Sequence, residues 1–304
     1  NGGLFSISPR KGTTITRVQL ACFRSLKMLH QLIPRSFFLN DNLIESAALL
    51  IDLDVLQARA TYYGLMSLVD HHLGRVVNYL KKSGQYESTL IIFTSDHGEQ
   101  LGDHYSFGKY GYFDQSYSIP LIIRNPEITK QTSDKSAVIG TQVELFTETI
   151  DVMPTILDWL ETEIPEECGG RSLLPFLQGN IPDNWRTEVH WEYDFRYIGS
   201  FQPIIEQQFG LSPDQCSLTV LRDEHYKFVH MTALKPLLFD LQKDPEEFIN
   251  RADDPGYQDI MLKYAQKLLS WQMLHRDRTL VNMNMESGNL VNWKGPRILN
   301  KVGE

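Results

Sequence analysis

Between residues 94 and 109 the chain reads Thr-Ser-Asp-His-Gly-Glu-Gln-Leu-Gly-Asp-His-Tyr-Ser-Phe-Gly-Lys, so carboxylates, imidazoles and an amine crowd one short stretch. A hard carboxylate oxygen at Asp96 beside an imidazole nitrogen at His97 is a donor pair for a divalent cation such as Mn, Ca, Mg or Zn. Lys109 adds a positive charge of the kind that stabilises an anionic ester. Together these groups make the layout of a metal-assisted ester-hydrolase site. The residues just before them, Leu90-Ile91-Ile92-Phe93, form a short unbroken apolar run. Such a run predicts a strand buried on both faces of a parallel sheet, and in open α/β sheets ligands gather beyond the carboxyl ends of the strands.

Each residue also has a plainer role open to it. Asp96 and His97 could be a helix N-cap and a surface imidazole, and Lys109 a solvated loop lysine. His104 could touch a leaving group or simply hydrogen-bond Asp103. Glu99 and Asp103 read as acceptors that orient ligands rather than ligands themselves. His71 and His72 are adjacent in a helical stretch and face different ways, which disfavours a shared metal. His190, Glu192 and Asp194 alternate along a strand and could line a cleft or face solvent. His30, His225, His230 and His275 have no nameable partner, and Cys22, Cys168 and Cys216 read as inert small side chains.

The motif Asp96-His97-Gly98-Glu99, with Leu101-Gly102-Asp103-His104, Gly108-Lys109 and Ser118-Ile119-Pro120-Leu121-Ile122-Ile123 following, resembles the sulfatase branch of the alkaline phosphatase superfamily. Within that branch it looks most like the phosphonate monoester hydrolases and arylsulfatases. Further pieces follow in family order: Ile150 to Leu157, Gly170 to Leu177, Leu238-Phe239-Asp240-Leu241 and Asp244 to Asn250. The resemblance implies an alkaline-phosphatase-like α/β sandwich of mostly parallel sheet and helices. It implies that Asp96 and His97 ligate the catalytic metal and that Lys109, 13 positions after Asp96, contacts the oxygens of a sulfate, phosphonate or phosphate ester. A catalytic contribution from His104 is a weaker implication. Family members attack with formylglycine made from Cys/Ser-x-Pro-x-Arg, or with a hydroxyl, on an early segment. None of the 3 cysteines fits, and among 14 prolines only Pro120 has Ser, Thr or Cys two positions before it, with Ile122 where Arg is required. The chain therefore reads as the later part of such an enzyme with the N-terminal part missing. The competing reading is a non-catalytic fragment or pseudoenzyme acting as a weak metal-binding or interaction module.

The 304 residues, 42% hydrophobic and 22% charged, are ordinary globular composition. A formal net charge of −9 argues against nucleic acid as partner, because phosphate binding needs a basic face. No apolar run approaches the roughly 18 residues of a membrane span, which gives an expectation of no membrane partner. Few cysteines without a disulfide framework fit a reducing, cytoplasmic setting. The expected partner is a small anionic ester.

The elements expected to position the site come from periodicity. Residues 1–20 read as loop, and Leu20 to Leu32 as a short helix ended by Pro34. A long amphipathic helix is predicted from about Asp54 to Lys82, its Leu65, Leu68, Val69, Leu73, Val76, Val77 and Leu80 facing a sheet, with Gly84 just past its end. Strands follow at 89–94, Tyr117 to Arg124 and Val143 to Phe146, then a helix capped by Asp151 and running to Leu160. Residues 1–175 form the later part of the catalytic domain, with a boundary between 165 and 185. Residues 176–275 form a small α+β subdomain: strands Thr187 to Tyr193, Ser217 to Arg222 and Tyr226 to His230, with a hairpin at Arg222-Asp223-Glu224-His225, and a closing helix from about Tyr257 to Leu274. Residues 276–304 lack a period and read as a tail, or as an arm through which copies of the chain associate.

Overall fold

The computed structural model describes residues 52–109, 111–126, 139–165, 168–195, 210–275 and 283–292. The expectations for residues 1–20, for the helix from Leu20 to Leu32, and for Cys22 and His30 lie outside the described residues. The architecture is mixed helix and sheet, an α/β fold. The described residues fall into two compact units, one within residues 1–142 and 195–216, the other within 143–194 and 217–304.

In the first unit, helix α1 (Asp52–Lys82) has two lysines in its last turn, where cations offset the helix dipole, and Gly84 takes the left-handed φ of 74° just beyond. Strand β1 (Ile91–Thr94) leads to the site loop, and a one-turn helix α2 (Asp114–Tyr117) precedes strand β2 (Leu121–Arg124). The two strands pair antiparallel, Ile91 opposite Arg124 and Thr94 opposite Leu121. That corrects the expectation of parallel, doubly buried strands for this pair: Ile122 is 42% exposed, and among the described residues neither strand has a second neighbour. An apolar run alone does not distinguish the two pairings. Arg124 fixes the start of β1. Its Nη1 donates to the carbonyls of Tyr86 and Thr89 at 2.6 and 3.0 Å, and its guanidinium lies 3.8 Å from the centre of the Tyr86 ring. The stripe expected to pack on a sheet is open in part: Leu65, Leu68, Val69 and Val76 are each between 51 and 56% exposed.

The second unit holds helix α3 (Val152–Trp159), the short α4 (Leu174–Leu177), a four-stranded antiparallel sheet and helix α5 (Gln258–His275). The sheet runs β3 (Glu188–Asp194), β4 (Ser217–Asp223), β5 (Tyr226–Met231), β6 (Leu237–Asp240), each strand beside the next. Its alternating residues put Leu221, Phe228 and Leu238 on one face, where Tyr264 and Leu268 of α5 close a core. The hairpin joining β4 to β5 is set by Asp223, whose Oδ1 accepts the N–H groups of His225 and Tyr226, both at 2.9 Å. Strand β6 has no counterpart in the sequence expectations. Val143 to Phe146 is not a strand: Phe146 offers its carbonyl to the Trp185 indole at 2.7 Å, and among the described residues the stretch has no ladder partner. Within the expected tail, strands β7 (Met283–Glu286) and β8 (Asn289–Asn292) form a hairpin through Ser287 and Gly288, both at positive φ.

The later family pieces do structural work in this unit. Asp240 Oδ2 accepts from Tyr257 at 2.7 Å and pairs with Lys243 at 2.9 Å, Asp244 accepts the Ile249 N–H at 2.6 Å, and Asn250 accepts those of Leu238 and Ala252 at 3.0 Å. Lys227 and Glu247, both buried, form an ion pair beneath them.

Candidate active site

Where β1 ends, the backbone turns at Ser95, Asp96 and His97 before any helix begins, so Asp96 is no helix cap. Ser95 Oγ donates to the His97 carbonyl at 2.8 Å, and Asp96 Oδ1 accepts the His97 N–H at 3.0 Å. The His97 ring lies with Nδ1 2.7 Å from the Gly98 carbonyl, which accepts the Nδ1 proton. Its Nε2 is thereby left as the lone-pair nitrogen, 3.5 Å from Asp96 Oδ2. Two donors at that separation can share one cation at ordinary ligand distances of about 2.0–2.4 Å. The backbone carbonyl behind His97 is the usual orienting partner of a ligating imidazole. The carboxyl of Asp96 is 83% exposed and His97 36%, so the pair opens to solvent. Desolvation pushes the Asp96 carboxyl up, but the charge that the His97 ring carries when protonated, hydrogen bonds from the Asp96 and His97 backbone and the charge of Lys109 together hold it below its ordinary value. Lys109, itself exposed, thus belongs to the same electrostatic neighbourhood. Among the described residues no group of three His, Cys, Asp or Glu side chains converges as a metal cage.

Glycine is required at position 98. Its N–H donates to the Ser116 carbonyl at 2.8 Å, and a Cβ there would stand 2.0 Å from the Gln115 carbonyl oxygen, inside any van der Waals contact. The loop that follows is tied at both flanks. Buried Gln100 bonds Ser116 Oγ at 3.2 Å, while Arg59 of α1 donates through Nε to the Leu101 carbonyl at 2.7 Å and through Nη2 to Asp103 at 2.8 Å. Desolvation raises the Asp103 carboxyl, against the pull of Arg59. Asp103 is therefore an anchor for α1 rather than an orienter of His97. His104 adopts a left-handed backbone, φ 50° and ψ 28°, and lays its ring flat on buried Phe113, centroids 3.6 Å apart. Glu99 reaches forward along the loop to accept the N–H groups of Leu101, at 3.2 Å, and Gly108.

The other candidates do not gather at this loop. His71 and His72 sit on α1 with exposed rings, His72 against Arg75 at 3.0 Å. His190 is 7% exposed and stacks on Trp271 at 4.3 Å, whereas Glu192 and Asp194 face solvent. Burial first, then the charges of His275, Lys267 and Arg186, press the His190 pKa down to about 4.

The polar centre that local spacing does not reveal lies at Asp151. Its backbone stands at the start of α3 as expected, yet its side chain makes no cap bond to that helix. Fully buried, it accepts the N–H groups of Glu148 and Arg171, each at 2.8 Å, and takes both Nη groups of Arg186 in a bidentate pair. Glu148 adds a 3.4 Å contact to Arg186 and accepts the His190 N–H at 3.1 Å. These bonds tie residues 148–151 to residues 171–190, across the expected domain boundary. Gly170 lets the chain pass: a Cβ would meet the Ile150 carbonyl oxygen at 2.0 Å.

Compared with known proteins, residues 12–162 match the model of the sulfatase family, and residues 102–273 match that of the N-sulphoglucosamine sulphohydrolase C-terminal region. A multifunctional alkaline phosphatase superfamily protein of Trinickia caryophylli is 52% identical over 237 residues, 78% of this chain and 44% of that protein. An N-acetylglucosamine-6-O-sulfatase of Bacteroides thetaiotaomicron is 29% identical over 220 residues, 71% of this chain and 36% of that one. Among solved structures, the phosphonate monoester hydrolase of Agrobacterium radiobacter superposes with a TM-score of 0.71 at 44% identity, covering 79% of this chain and 46% of the other. The chain spans less than half the length of each of these relatives.

Proposed function

Because the chain belongs to the sulfatase family, in the sulfatase branch of the alkaline phosphatase superfamily, we propose that it carries the later metal ligands and the oxyanion-binding lysine of a sulfate, phosphonate or phosphate ester hydrolase. The observation that carries this reading is the Asp96–His97 pair: a carboxylate oxygen and an imidazole lone pair 3.5 Å apart, the imidazole steered by the Gly98 carbonyl. Asp96 and His97 would hold one divalent cation, Mn or Ca foremost. When bound, such a cation supplies Lewis acidity and neutralises charge on a leaving oxygen. Lys109 supplies the second positive charge, toward the non-bridging oxygens of the ester, over which the charge of the transferring group is spread in the transition state. His104 keeps a secondary place as a group near the leaving oxygen; its stacking on Phe113 fixes the ring but leaves no proton transfer assigned to it. The substrate is a small anionic ester, and the surroundings are reducing and cytoplasmic. Among the described residues no helix is long and apolar enough to cross a membrane.

No Cys/Ser-x-Pro-x-Arg stands in this sequence, so the chain alone is expected to hydrolyse 4-nitrophenyl sulfate and a 4-nitrophenyl phosphonate no faster than its Asp96→Ala variant. Fused behind a family segment carrying matured Cys-x-Pro-x-Arg, it is expected to show metal-dependent turnover that Asp96→Ala abolishes. Turnover in the fusion that survives Asp96→Ala would overturn the assignment of the metal ligand. Absence of turnover in a folded, metal-loaded fusion would favour the non-catalytic reading.

A further inference from the structure

We propose that Glu99 is the positioning residue of this site, holding the Gly108 backbone so that Lys109 is presented to an anion beside the Asp96–His97 pair; this rests on the reading of Lys109 given above. A lysine side chain is long and flexible, so its reach is set by where the backbone starts. Here that starting point is held at both ends of one glycine. The Gly108 N–H donates to Glu99 Oε1, and its carbonyl accepts the Gln100 N–H at 3.0 Å. Gly108 sits at φ 90°, a conformation that glycine adopts freely and just as freely leaves. The loop before it is held by its own bonds, Gly102 N–H to the Ser106 carbonyl at 2.8 Å and Ser106 N–H to the Asp103 carbonyl at 3.0 Å, and the two at Gly108 carry that order to the residue beside Lys109. The same Glu99 oxygen accepts the Leu101 N–H at 3.2 Å, where the backbone is again left-handed at φ 50°. A carboxylate taking two amide protons is a charge-assisted clamp, stronger than a neutral acceptor.

The clamp is short in covalent terms. Glu99 follows His97 by two residues, and the intervening Gly98 is pinned to the Ser116 carbonyl at 2.8 Å. The shortest link between the proposed metal ligands and the lysine therefore runs through His97, Gly98, Glu99, Gly108 and Lys109. Arg59 secures the far side of the same loop through the Leu101 carbonyl and Asp103. Glu99 works from within and never needs to touch the metal or the ester.

The test is amide NMR on the full 304-residue chain, with Ca2+ as the metal and inorganic phosphate as the anion probe. In the unsubstituted chain the Gly108 amide proton is expected downfield and slow to exchange. Glu99→Ala should erase both signatures and weaken phosphate binding about tenfold, the worth of one charge-assisted hydrogen bond, while Ca2+ affinity changes less than about twofold. Glu99→Gln keeps an acceptor oxygen and should retain most of the anion affinity. Unchanged phosphate binding in folded Glu99→Ala overturns the proposal, as does a freely exchanging Gly108 amide in the unsubstituted chain. If Glu99→Ala fails to fold, the Gly108 amide decides the matter: it must be downfield and slow to exchange in the unsubstituted chain and move upfield in Glu99→Gln, whose neutral oxygen is the weaker acceptor, and a Gly108 amide unmoved by Glu99→Gln overturns the proposal. Lys109→Ala separates the two layers: if it leaves phosphate affinity unchanged, the oxyanion role of Lys109 falls and this proposal with it. Weaker binding in Lys109→Ala but not in Glu99→Ala removes the proposal alone.

Discussion

Replacing Asp151 by Ala removes the acceptor for four hydrogen bonds in one step. Two come from backbone N–H groups, of Glu148 and Arg171, and two from the Arg186 guanidinium, whose side chain is only 9% exposed. Deleting one partner of a buried, hydrogen-bonded pair costs about 3–5 kcal/mol, because the remaining charge stays buried without its counter-charge. Glu148, 3.4 Å from Arg186, is 20% exposed and recovers part of that, so the lower half of the range is expected. At about 2–4 °C per kcal/mol for a unit of this size, the melting temperature should fall by roughly 6–16 °C. Asp151→Asn should cost nearly as much, since its amide would set a donor against donors. The assay is urea denaturation followed by circular dichroism, on Asp151→Ala, Arg186→Met and the double variant. The double variant should be more stable than the sum of the two losses implies, by about 1 kcal/mol or more, because it removes the orphaned charge together with its partner. A loss below about 1 kcal/mol in Asp151→Ala, or additivity within about 0.5 kcal/mol, would refute the reasoning.

The stability of the second unit should also depend on pH through His190. Its folded pKa of about 4 lies below the ordinary 6.5 of an unfolded chain, so its stabilising contribution is whole above pH 6.5 and lost as pH falls toward 4. At pH 5 the loss is about 2 kcal/mol. His190→Phe, which keeps a ring on Trp271, should flatten that part of the profile; an unchanged slope would place the titration elsewhere. Gly98→Ala should displace the Asp96–His97 turn from Ser116 and lower stability by about 1–3 kcal/mol, and a melt within error of the parent would contradict the 2.0 Å clash.

Much of the fold is legible in the residues. The 31-residue helix α1 announces itself by apolar spacing, terminal lysines and Gly84, and the α5 pattern and the strands flanking Arg222 to His225 are similarly local signals. What fails is whatever depends on partners far along the chain. The run Leu90 to Phe93 is apolar enough for a buried parallel strand, yet its observed partner is β2, antiparallel. Strand β6 is four residues behind Pro236, too short to show a period. Asp151 looks like a helix cap because caps are read from the next few residues, whereas, besides the Glu148 N–H three positions before it, its partners Arg171 and Arg186 stand 20 and 35 positions away. At the candidate site, the Asp96–His97 donors could be read from residue type and spacing. The roles of Glu99 and Arg59 could not: Gly108 is nine positions beyond Glu99, and Arg59 lies on α1, 44 residues from Asp103. His190 misleads in the opposite sense, its strand alternation placing it with solvent-facing neighbours while α5 buries it under Trp271.

The central claim is that Asp96 and His97 together form part of a metal site, and calorimetry tests it directly. Mn2+ and Ca2+ should bind the 304-residue chain weakly, with a Kd of about 10⁻⁴ M or higher, since two protein donors leave most of the coordination sphere to water. Both His97→Ala and Asp96→Ala should abolish that binding without shifting the thermal melt of the metal-free chain. Submicromolar binding that persists in His97→Ala would contradict the account and place the metal elsewhere in the chain.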